Sequence, residues 1–463
     1  MENKPDIYQI LDRAHTGEYC SPKDWDIKKI GGTIRNILKS YKLEKVCDPY
    51  NPVNTDFDLA DQFYQAGFEL ALELGYWCED TERIIKVSQG ELENSLKFAP
   101  SEIFFGQGRD GTLVKSRTPE DPYPCKVACS LGITVSEDII LDVLTGIARE
   151  PEVDILEGVS MTTIRGHQVL AGTPWETLMN AEYARLHRQA RRLAGREGMA
   201  GWGSISATTD YGQFGAYGVP GGFSPAFDLA LILFPSEMKV DYRTLNKVVH
   251  TINMGGMVKA DCPSMIGGMP GPVEGATVCE IACSILSYPI LQNHAGGGQM
   301  YDVRYLSNVN REGLWGLSVV NQALSRNTHT LPVNIANVVS GPVTENLLYE
   351  IAAGQAVLAC SGASATVGPR TAGGKLNDYI TPLECRFTAE VTHAASGLEV
   401  EKVNDIVKEL VSRYEDNLRS PDFGKPYQEA YDMTTHQPTK EWESIYHKVK
   451  QEVIDMGIPM SIY

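Results

Sequence analysis

The sequence predicts an α/β fold in which eight parallel strands close into a (β/α)8 TIM barrel, with a helical extension before the barrel and a helical tail after it. First, from about residue 125 short apolar runs alternate with longer amphipathic segments, and Gly, Pro, Ser or Asn marks each junction. Second, these apolar runs number eight, and parallel strands need a helical crossover between them. Third, no Gly-x-Gly-x-x-Gly follows a strand as a doubly wound sheet requires. The nearest match, Gly106–Gly111, lacks the strand and helix that should follow it.

The eight candidate strands are short apolar runs bounded by turn residues. They are Lys126–Leu131, Val153–Val159, Gly198–Gly203, Asp228–Phe234, Met257–Cys262, Ile290–Ala295, Val333–Val339 and Ala363–Val367. Apolar residues at helical spacing predict helices near 136–149, 174–194, 241–254, 273–287, 311–327, 343–360 and 381–396. The chain therefore divides into an extension over 1–120, a barrel over 121–398 and a tail over 399–463.

The segments on either side of the barrel are predicted to be mainly helical. Asp58–Trp77 carries apolar side chains on one face and acids on the other, a pattern typical of a helix that packs over a barrel. The tail begins with an amphipathic helix over Val403–Leu418 and continues as proline-containing chain. Its Tyr and Trp residues suit packing on a neighbouring subunit.

Composition excludes some classes of partner and location. The chain contains 41 Lys and Arg residues and 59 Asp and Glu residues, which gives a net charge of -18. Binding to nucleic acids or anionic membranes requires a concentrated basic surface, so we do not expect either as a partner. Ten cysteines show no framework spacing and no leader precedes them, so we expect free thiols in a cytoplasmic protein. No uncharged apolar run approaches the ~20 residues of a membrane span.

In a barrel the chemistry lies where the strands end, so polar and aromatic residues there are the candidates. Trp202 stands between Gly201 and Gly203, which leaves its ring free to project into a cavity; a core position is the alternative. Asp261 precedes a Gly- and Pro-rich loop, as an ammonium-binding or general-base carboxylate would; a structural turn cap is the alternative. His294 is followed by three glycines, which indicates either a ligand-binding loop or a flexible one.

Other acids and thiols are weaker candidates. Cys279 and Cys283 lie one helical turn apart and Cys262 closes a strand, but the helix is apolar and no histidine is near it in sequence. A catalytic zinc takes three protein ligands, so we predict no metal site. Asp228 begins its strand and is expected at the opposite, structural end of the barrel.

A series of segments, taken in order and spacing, resembles one known family. These segments are Asp12-Arg13-Ala14, Asp24-Trp25-Asp26, Ala66-Gly67-Phe68-Glu69, Gly106-Gln107-Gly108-Arg109-Asp110, Ile133–Asp138, Ala194–Met199 and Gly341–Glu345. Together they resemble the monomethylamine methyltransferases of methanogenic metabolism over nearly the whole chain. The resemblance implies transfer of a methyl group to a separate corrinoid protein, no cofactor bound tightly by this chain, and a homo-oligomer such as a hexamer.

The resemblance also implies a rebuilt pocket. The family carries pyrrolysine at the position of Trp202, and its electrophilic ring holds the amine nitrogen, an adduct that tryptophan cannot form. One family glutamate corresponds to Asp261. A second falls at Leu231, and the family's glutamine and tyrosine fall at Ile335 and Asn337. We therefore expect Asp261 to be the catalytic carboxylate. The expected substrate-binding residues are Trp202, Leu231, Ile335, Asn337 and His294.

These expectations lead to a methyltransferase without pyrrolysine that acts on a methylated amine, including a quaternary ammonium or an N-methylated amino acid. A quaternary ammonium already has a neutral amine as leaving group, and the face of Trp202 would bind such a cation with Asp261 opposite. Trp202→Ala is then expected to lose substrate affinity with the fold intact. The chain has no Asp-x-His-x-x-Gly motif for a corrinoid's lower ligand, which agrees with a corrinoid carried by a partner. The alternatives are a non-catalytic methylamine-binding protein and a metal-dependent barrel methyltransferase for another small donor.

Overall fold

The computed structural model describes residues 4–203 and 209–461, and a closed barrel of eight parallel strands lies at its centre. The strands are β1 (Lys126–Cys129), β2 (Ile155–Leu156), β3 (Trp202–Gly203), β4 (Leu229–Leu233), β5 (Met257–Ile266), β6 (Ala295–Asp302), β7 (Val333–Ile335) and β8 (Ala365–Val367). This confirms the predicted (β/α)8 fold.

The strands neighbour one another in chain order, and the ring is continuous. Ladders join β3 through β6 and join β7, β8, β1 and β2. A parallel bridge between Leu156 and Gly201 connects β2 to β3. On the other side, Gly296 N–H donates to Leu331 O at 3.1 Å and links β6 to the segment that enters β7. Because every edge is paired, the inward side chains share one enclosed interior.

A helix follows each strand and covers the barrel from outside. These helices are α1 (Ile140–Arg149), α2 (Pro174–Leu193), α3 (Asp210–Ala216), α4 (Tyr242–Asn253), α5 (Val273–Ile290), α6 (Arg311–Asn327), α7 (Glu345–Cys360) and α8 (Pro382–Ala395). Within the described residues, α5 is the one helix long and apolar enough to cross a membrane, and every residue of it is buried in the protein. Its apolar character is therefore explained by its place in the core.

One predicted strand of the barrel was displaced, and one helix was missed. The sixth strand was expected over Ile290–Ala295, but Ile290 ends α5 and the strand begins at Ala295, because the glycines that follow belong to the strand. The helix α3 was not predicted. It has seven residues, two of them glycines, and glycine weakens the helical signal.

The N-terminal extension is less helical than predicted. Its longer helices are Ile7–Thr16, Gly31–Ser40, Phe57–Leu74 and Gln89–Lys97, with shorter turns at Pro22–Asp24, Trp25–Ile30 and Gly108–Asp110. It also contains strands at Glu18–Tyr19, Tyr76–Cys78 and Arg83–Ile85, which form a small sheet with Lys239–Val240. The tail has helices at Val400–Tyr414, Tyr427–Ala430 and Lys440–Met456 and a 3-10 turn at Glu415–Asn417; another 3-10 turn, Thr371–Gly374, lies in the barrel between β8 and α8. Two-residue strand pairs join Thr163–Ile164 to His167–Gln168 and Tyr431–Asp432 to Gln437–Pro438.

A hairpin from the extension covers the N-terminal end of the barrel. Its strands, Glu102–Phe105 and Thr112–Lys115, are antiparallel. Just beyond the first strand, Gln107 N–H donates to Gly198 O at 2.8 Å, ahead of β3. Phe105 is fully buried among the inward side chains of the barrel. The hairpin therefore covers the interior of the barrel from its amino-terminal side.

An ion cluster at the N-terminal rim connects β1, β2 and α8. Asp154 accepts hydrogen bonds from Val127 N–H at 3.0 Å, Lys126 Nζ at 3.1 Å and His393 Nε2 at 2.8 Å. Burial lowers the pKa of His393, but its hydrogen bonds with Asp154 and Glu152 outweigh burial and raise the pKa to about 9. The protonated histidine therefore contributes to the stability of the barrel.

We expect His393→Gln to lower the free energy of unfolding by roughly 1–3 kcal/mol near pH 6. Because the pKa of His393 is raised on folding, its contribution is complete below the unfolded value of 6.5 and is lost as pH rises through about 9. The difference in the free energy of unfolding between the wild-type protein and the variant, measured by denaturant unfolding, should be smaller at pH 9.5 than at pH 6. His329→Gln, at an exposed histidine, is the control. A difference that grows with pH would contradict the prediction.

Candidate active site

The alternation of side chains along β5 places two charged residues inside the barrel. Ser264, on one face, donates to Ala276 O of α5 at 2.9 Å, so that face points outward. Lys259 and Asp261 are on the other face, because successive residues of a strand point to opposite sides. Their side chains are 0% and 1% exposed. The strand was predicted to end at Cys262 but continues to Ile266, so Asp261 lies in the middle of a ten-residue strand.

Lys259, Asp261 and Trp202 form one contact group. Lys259 Nζ makes an ion pair and hydrogen bond with Asp261 Oδ2, and it lies over the ring of Trp202 at 5.6 Å from the centroid. The fully buried indole of Trp202 packs edge-to-face on Phe105, with ring centroids 5.5 Å apart. Sequence reasoning placed a substrate cation between Trp202 and Asp261. The structure places the protein's own Lys259 ammonium there.

Glu157 is a third charged group of this interior. It follows β2 directly and is fully buried. Burial raises the pKa of Glu157 to about 8, an effect that Lys259 opposes and Asp261 reinforces. Ile155 of the same strand belongs to the interior cluster of the barrel, so the alternation of side chains directs Glu157 to that interior as well. We call the interior around Lys259, Asp261 and Glu157 the chamber. At pH 7 its carboxyl group is mainly protonated, and a cation nearby would favour its ionised form.

Polar groups from the later strands complete the chamber. Tyr301, near the end of β6, donates to Gln299 Oε1 at 3.1 Å. Burial raises the pKa of Tyr301 and the Asp261 carboxylate adds to that rise, whereas the guanidinium of Arg370 and the amide of Asn337 oppose it. Asp261 pairs in register with Gly297, so Gln299 and Tyr301 lie on the same face of β6 as this pair, toward the carboxyl end of the strand.

Several buried polar atoms of the chamber have no hydrogen-bond partner among the described residues. They are both carboxylate oxygens of Glu157, Asp261 Oδ1, Trp202 Nε1, and both amide atoms of Asn337. Buried polar groups in proteins almost always have partners. This group of unpaired acceptors and donors is therefore the candidate site for a small polar ligand.

The other residues predicted for the site are divided between the chamber and the rest of the barrel. Leu231 is buried and pairs in register with Lys259. Ile335 is buried in the apolar interior of the barrel. His294 lies at the N-terminal end instead, where its Nδ1 accepts from Val258 N–H at 3.2 Å. Burial and the nearby Lys4 lower the pKa of His294 to about 4. The structure does not bring His294 to the chamber, because the sixth strand begins after it and not before it.

Asp228 lies where the sequence placed it, at the amino-terminal end of the barrel. Its carboxylate accepts from Arg191 Nη1 at 2.9 Å, from Gly201 N–H at 2.6 Å and from Ser224 N–H at 2.7 Å. These contacts fix the start of β3 beside β4. Across residues 4–203 and 209–461, no group of three or more His, Cys, Asp or Glu side chains could hold a metal ion.

The three glycines after His294 have a structural role that sequence reasoning missed. They are part of β6, and the outward face of Gly298 is filled by Glu280 of α5. A Cβ at Gly298 would lie 2.1 Å from Glu280 Cδ. Glu280 Oε1 accepts from Asn334 Nδ2 at 2.9 Å, and burial holds the pKa of Glu280 well above its usual value. Gly298 therefore admits a carboxyl group between the barrel and α5.

A closed barrel with a buried charged chamber at the carboxyl ends of its strands is the arrangement of a (β/α)8 enzyme. Comparisons with known proteins identify the family to which this chain belongs. The family model of the monomethylamine methyltransferase MtmB matches residues 5–458. The chain therefore belongs to the MtmB family.

Individual members of the family match this chain over nearly its full length. Monomethylamine methyltransferase MtmB1 of Methanosarcina acetivorans is 31% identical over 455 residues, covering 98% of both chains. MtmB of Methanosarcina mazei is 30% identical over the same length and coverage. The crystal structure of the Methanosarcina barkeri monomethylamine methyltransferase matches with a TM-score of 0.93 at 29% identity and covers 99% of both chains.

Proposed function

We propose that this protein transfers a methyl group from a methylated amine to the Co(I) of a separate corrinoid protein, and that it does so without pyrrolysine. The observation that carries the proposal is the buried chamber, whose free carboxylate oxygens on Glu157 and Asp261 can accept hydrogen bonds from a substrate ammonium. Family membership supports a methylated amine as the donor.

The substrate ammonium is proposed to bind between Glu157 and Asp261. Both Glu157 oxygens and Asp261 Oδ1 lack partners in the described chain, whereas Asp261 Oδ2 is taken by Lys259. An ammonium beside Glu157 favours the ionised carboxylate, which then offers charge-assisted hydrogen bonds. We favour a protonated amine over a quaternary ammonium as the substrate, because Lys259 already lies over the ring of Trp202 on which a quaternary ammonium would bind.

Methyl transfer requires that the methylated amine be oriented and that its nitrogen be protonated. In the transfer the C–N bond breaks, its electron pair stays on nitrogen, and the methyl group passes to the nucleophilic corrinoid. When the substrate is protonated on nitrogen, the demethylated product leaves as a neutral amine. The carboxyl groups of Glu157 and Asp261 favour this protonated substrate. Enclosure by the barrel points the methyl group toward the open mouth, so catalysis is chiefly by positioning.

The partner and setting are part of the same proposal. A corrinoid on a partner protein supplies the reduced cobalt as methyl acceptor, and this chain binds no cofactor tightly. The chain is also proposed to act in the cytoplasm as a homo-oligomer.

Glu157→Gln is expected to reduce methyl transfer to a corrinoid protein by about 10²-fold or more, because the variant cannot become an anion beside the substrate. The fold should gain stability at alkaline pH. The pKa of Glu157 is raised to about 8 on folding, so the wild-type protein loses stability as pH rises from about 4.5 to 8, and glutamine removes that loss. Corrinoid methylation followed by absorbance, with thermal melting at pH 5 and 8, tests both effects.

Glu150→Gln is the matched control. Glu150 is also a buried glutamate with a raised pKa, but it lies before β2 and pairs with Arg386 at 2.5 Å. It should retain methyl transfer in the folded fraction. Tight amine binding without any corrinoid methylation by the wild-type protein would refute the proposal and favour a binding protein. Stoichiometric zinc in the purified chain would instead favour a metal-dependent enzyme.

A further inference from the structure

The strands β6 and β7 are held together differently from the other neighbouring strands of the barrel. Near their amino-terminal ends Gly296 N–H donates to Leu331 O at 3.1 Å, but no ladder joins the two strands among the described residues. The other neighbours are paired by ladders or by a bridge. Because buried backbone groups need hydrogen-bond partners, the carboxyl ends of β6 and β7 must be joined by other groups.

The side chain of Asn308 takes the place of the missing ladder at these carboxyl ends. Asn308 is fully buried. Its Nδ2 donates to Met300 O of β6 at 2.9 Å and to Ile335 O of β7 at 2.8 Å, and its Oδ1 accepts from Asn337 N–H at 2.7 Å. A single carboxamide therefore connects the backbone of β6 to the backbone of β7 and of Asn337.

The turn that carries Asn308 also holds the carbonyl group of Asn337. Ser307 is fully buried, and its Oγ donates to Asn337 O at 2.6 Å. The turn is itself attached to the end of β6, since Asp302 N–H donates to Ser307 O at 2.7 Å. The backbone N–H and the backbone carbonyl of Asn337 are therefore both fixed by adjacent residues of one turn.

The side chain of Asn337, by contrast, is free to bind a ligand. Asn337 is 1% exposed, and neither Nδ2 nor Oδ1 has a hydrogen-bond partner within the described residues. Ile335 belongs to the interior cluster of the barrel, so the alternation of side chains directs Asn337 to that interior as well. A buried, unpaired carboxamide on a fixed backbone is the arrangement of a preorganised ligand contact.

We propose that Asn308 is a positioning residue for the methylated amine. It holds Asn337 so that the free carboxamide oxygen of Asn337 accepts a hydrogen bond from the substrate nitrogen. Asn308 acts through Asn337 and not on the substrate, because backbone carbonyls use both donors of its side chain. The proposal rests on the proposed function for the class of ligand and adds the residue that orients one of its contacts.

A double-mutant cycle on ligand affinity tests this role separately from catalysis. Methylammonium, dimethylammonium and trimethylammonium chloride are titrated calorimetrically into the full chain, and the salt that binds most tightly is used for the variants. Asn337→Ala should weaken binding roughly 10-fold or more, as expected for the loss of a hydrogen bond to a charged group. Asn308→Ala should weaken binding by about as much in the wild-type background but by less than about 2-fold in the Asn337→Ala background, because its effect passes through Asn337.

Two further variants separate positioning from loss of stability. Ser307→Ala removes the hydrogen bond to Asn337 O and leaves Asn308 in place, so it tests the same contact if Asn308→Ala does not fold. It should give a smaller loss of affinity that also disappears in the Asn337→Ala background. Asn321→Ala is the control, since this buried asparagine donates within its own helix α6, to Leu317 O at 2.8 Å. The control should lower the melting temperature and leave the affinity unchanged.

The outcomes separate the positioning role from the proposed function. If the losses caused by Asn308→Ala and Asn337→Ala multiply in the double variant, the positioning role is wrong even where methyl transfer succeeds. Unchanged affinity in Asn308→Ala, or in Ser307→Ala if the former does not fold, also overturns the role. Coupled losses without corrinoid methylation by the wild-type protein support the role and refute the transfer. A wild-type protein that binds none of the three amines overturns both.

Discussion

Asp261→Asn is expected to lower the free energy of unfolding by about 3–5 kcal/mol and to abolish methyl transfer. The carboxylate of Asp261 is the charged partner of Lys259, and both side chains are almost completely buried. Removal of one member of such a pair leaves the other charge buried without compensation, which is strongly destabilising. The transfer is lost as well, because the free oxygen of Asp261 is half of the proposed ammonium site. Urea unfolding and corrinoid methylation measure the two effects.

A double variant separates stability from function at this position. Lys259→Met with Asp261→Leu replaces both charges with apolar side chains, and such replacement is often neutral or stabilising. We expect the double variant to recover most of the stability lost in Asp261→Asn and to remain inactive. If Asp261→Asn is as stable as the wild-type protein, Lys259 is not held as a buried ammonium. Activity in the double variant would show that the transfer does not need Asp261.

The barrel was predictable because its signals are local and repeated. Each strand is a short apolar run between turn residues, and α2 and α6 occupy Pro174–Leu193 and Arg311–Asn327 against predictions of 174–194 and 311–327. The sixth strand was displaced because Gly296, Gly297 and Gly298 were interpreted as a loop. Glycine has no side chain to reveal that the backbone is extended, and here it is required because Glu280 fills the space beside it.

The chamber was predictable only in part. Trp202 and Asp261 were found by their position among glycines and before a loop, and they do contact the same group, Lys259. Lys259 was missed because a lysine two residues before an acid resembles a solvated pair. The signal that could have identified it is the strand's own alternation, since in a parallel strand covered on both faces Lys259 and Asp261 must both point inward. Glu157 could not be identified without the tertiary structure, because its importance depends on charges from another strand.

The contacts of Trp202 change the interpretation of this residue. Trp202 contacts Phe105 below and Lys259 above, so its ring separates the apolar layer of the barrel from the charged one. The three residues Trp202, Lys259 and Asp261 therefore act as one structural unit.

Trp202→Ala is accordingly expected to lower the free energy of unfolding by about 3–5 kcal/mol, the usual cost of removing a large aromatic side chain from a core. The sequence alone predicted lost affinity with the fold intact, but the indole is fully buried against Phe105, so the fold should weaken too. The variant also withdraws the ring from beneath Lys259, which frees the ammonium to move and weakens substrate binding. Thermal melting and calorimetric titration with a methylated amine measure the two effects. An unchanged melting temperature would contradict the core position of the ring.

Trp202→Phe distinguishes packing from positioning. Phenylalanine keeps an aromatic face beneath Lys259 and an edge for Phe105, and it removes the indole N–H, which has no partner in the described chain. If the ring acts by holding Lys259 and filling the core, the phenylalanine variant should recover most of the stability and the affinity lost in Trp202→Ala. If affinity stays low while stability returns, the indole N–H itself must donate to the ligand, and Trp202 then recognises the substrate directly.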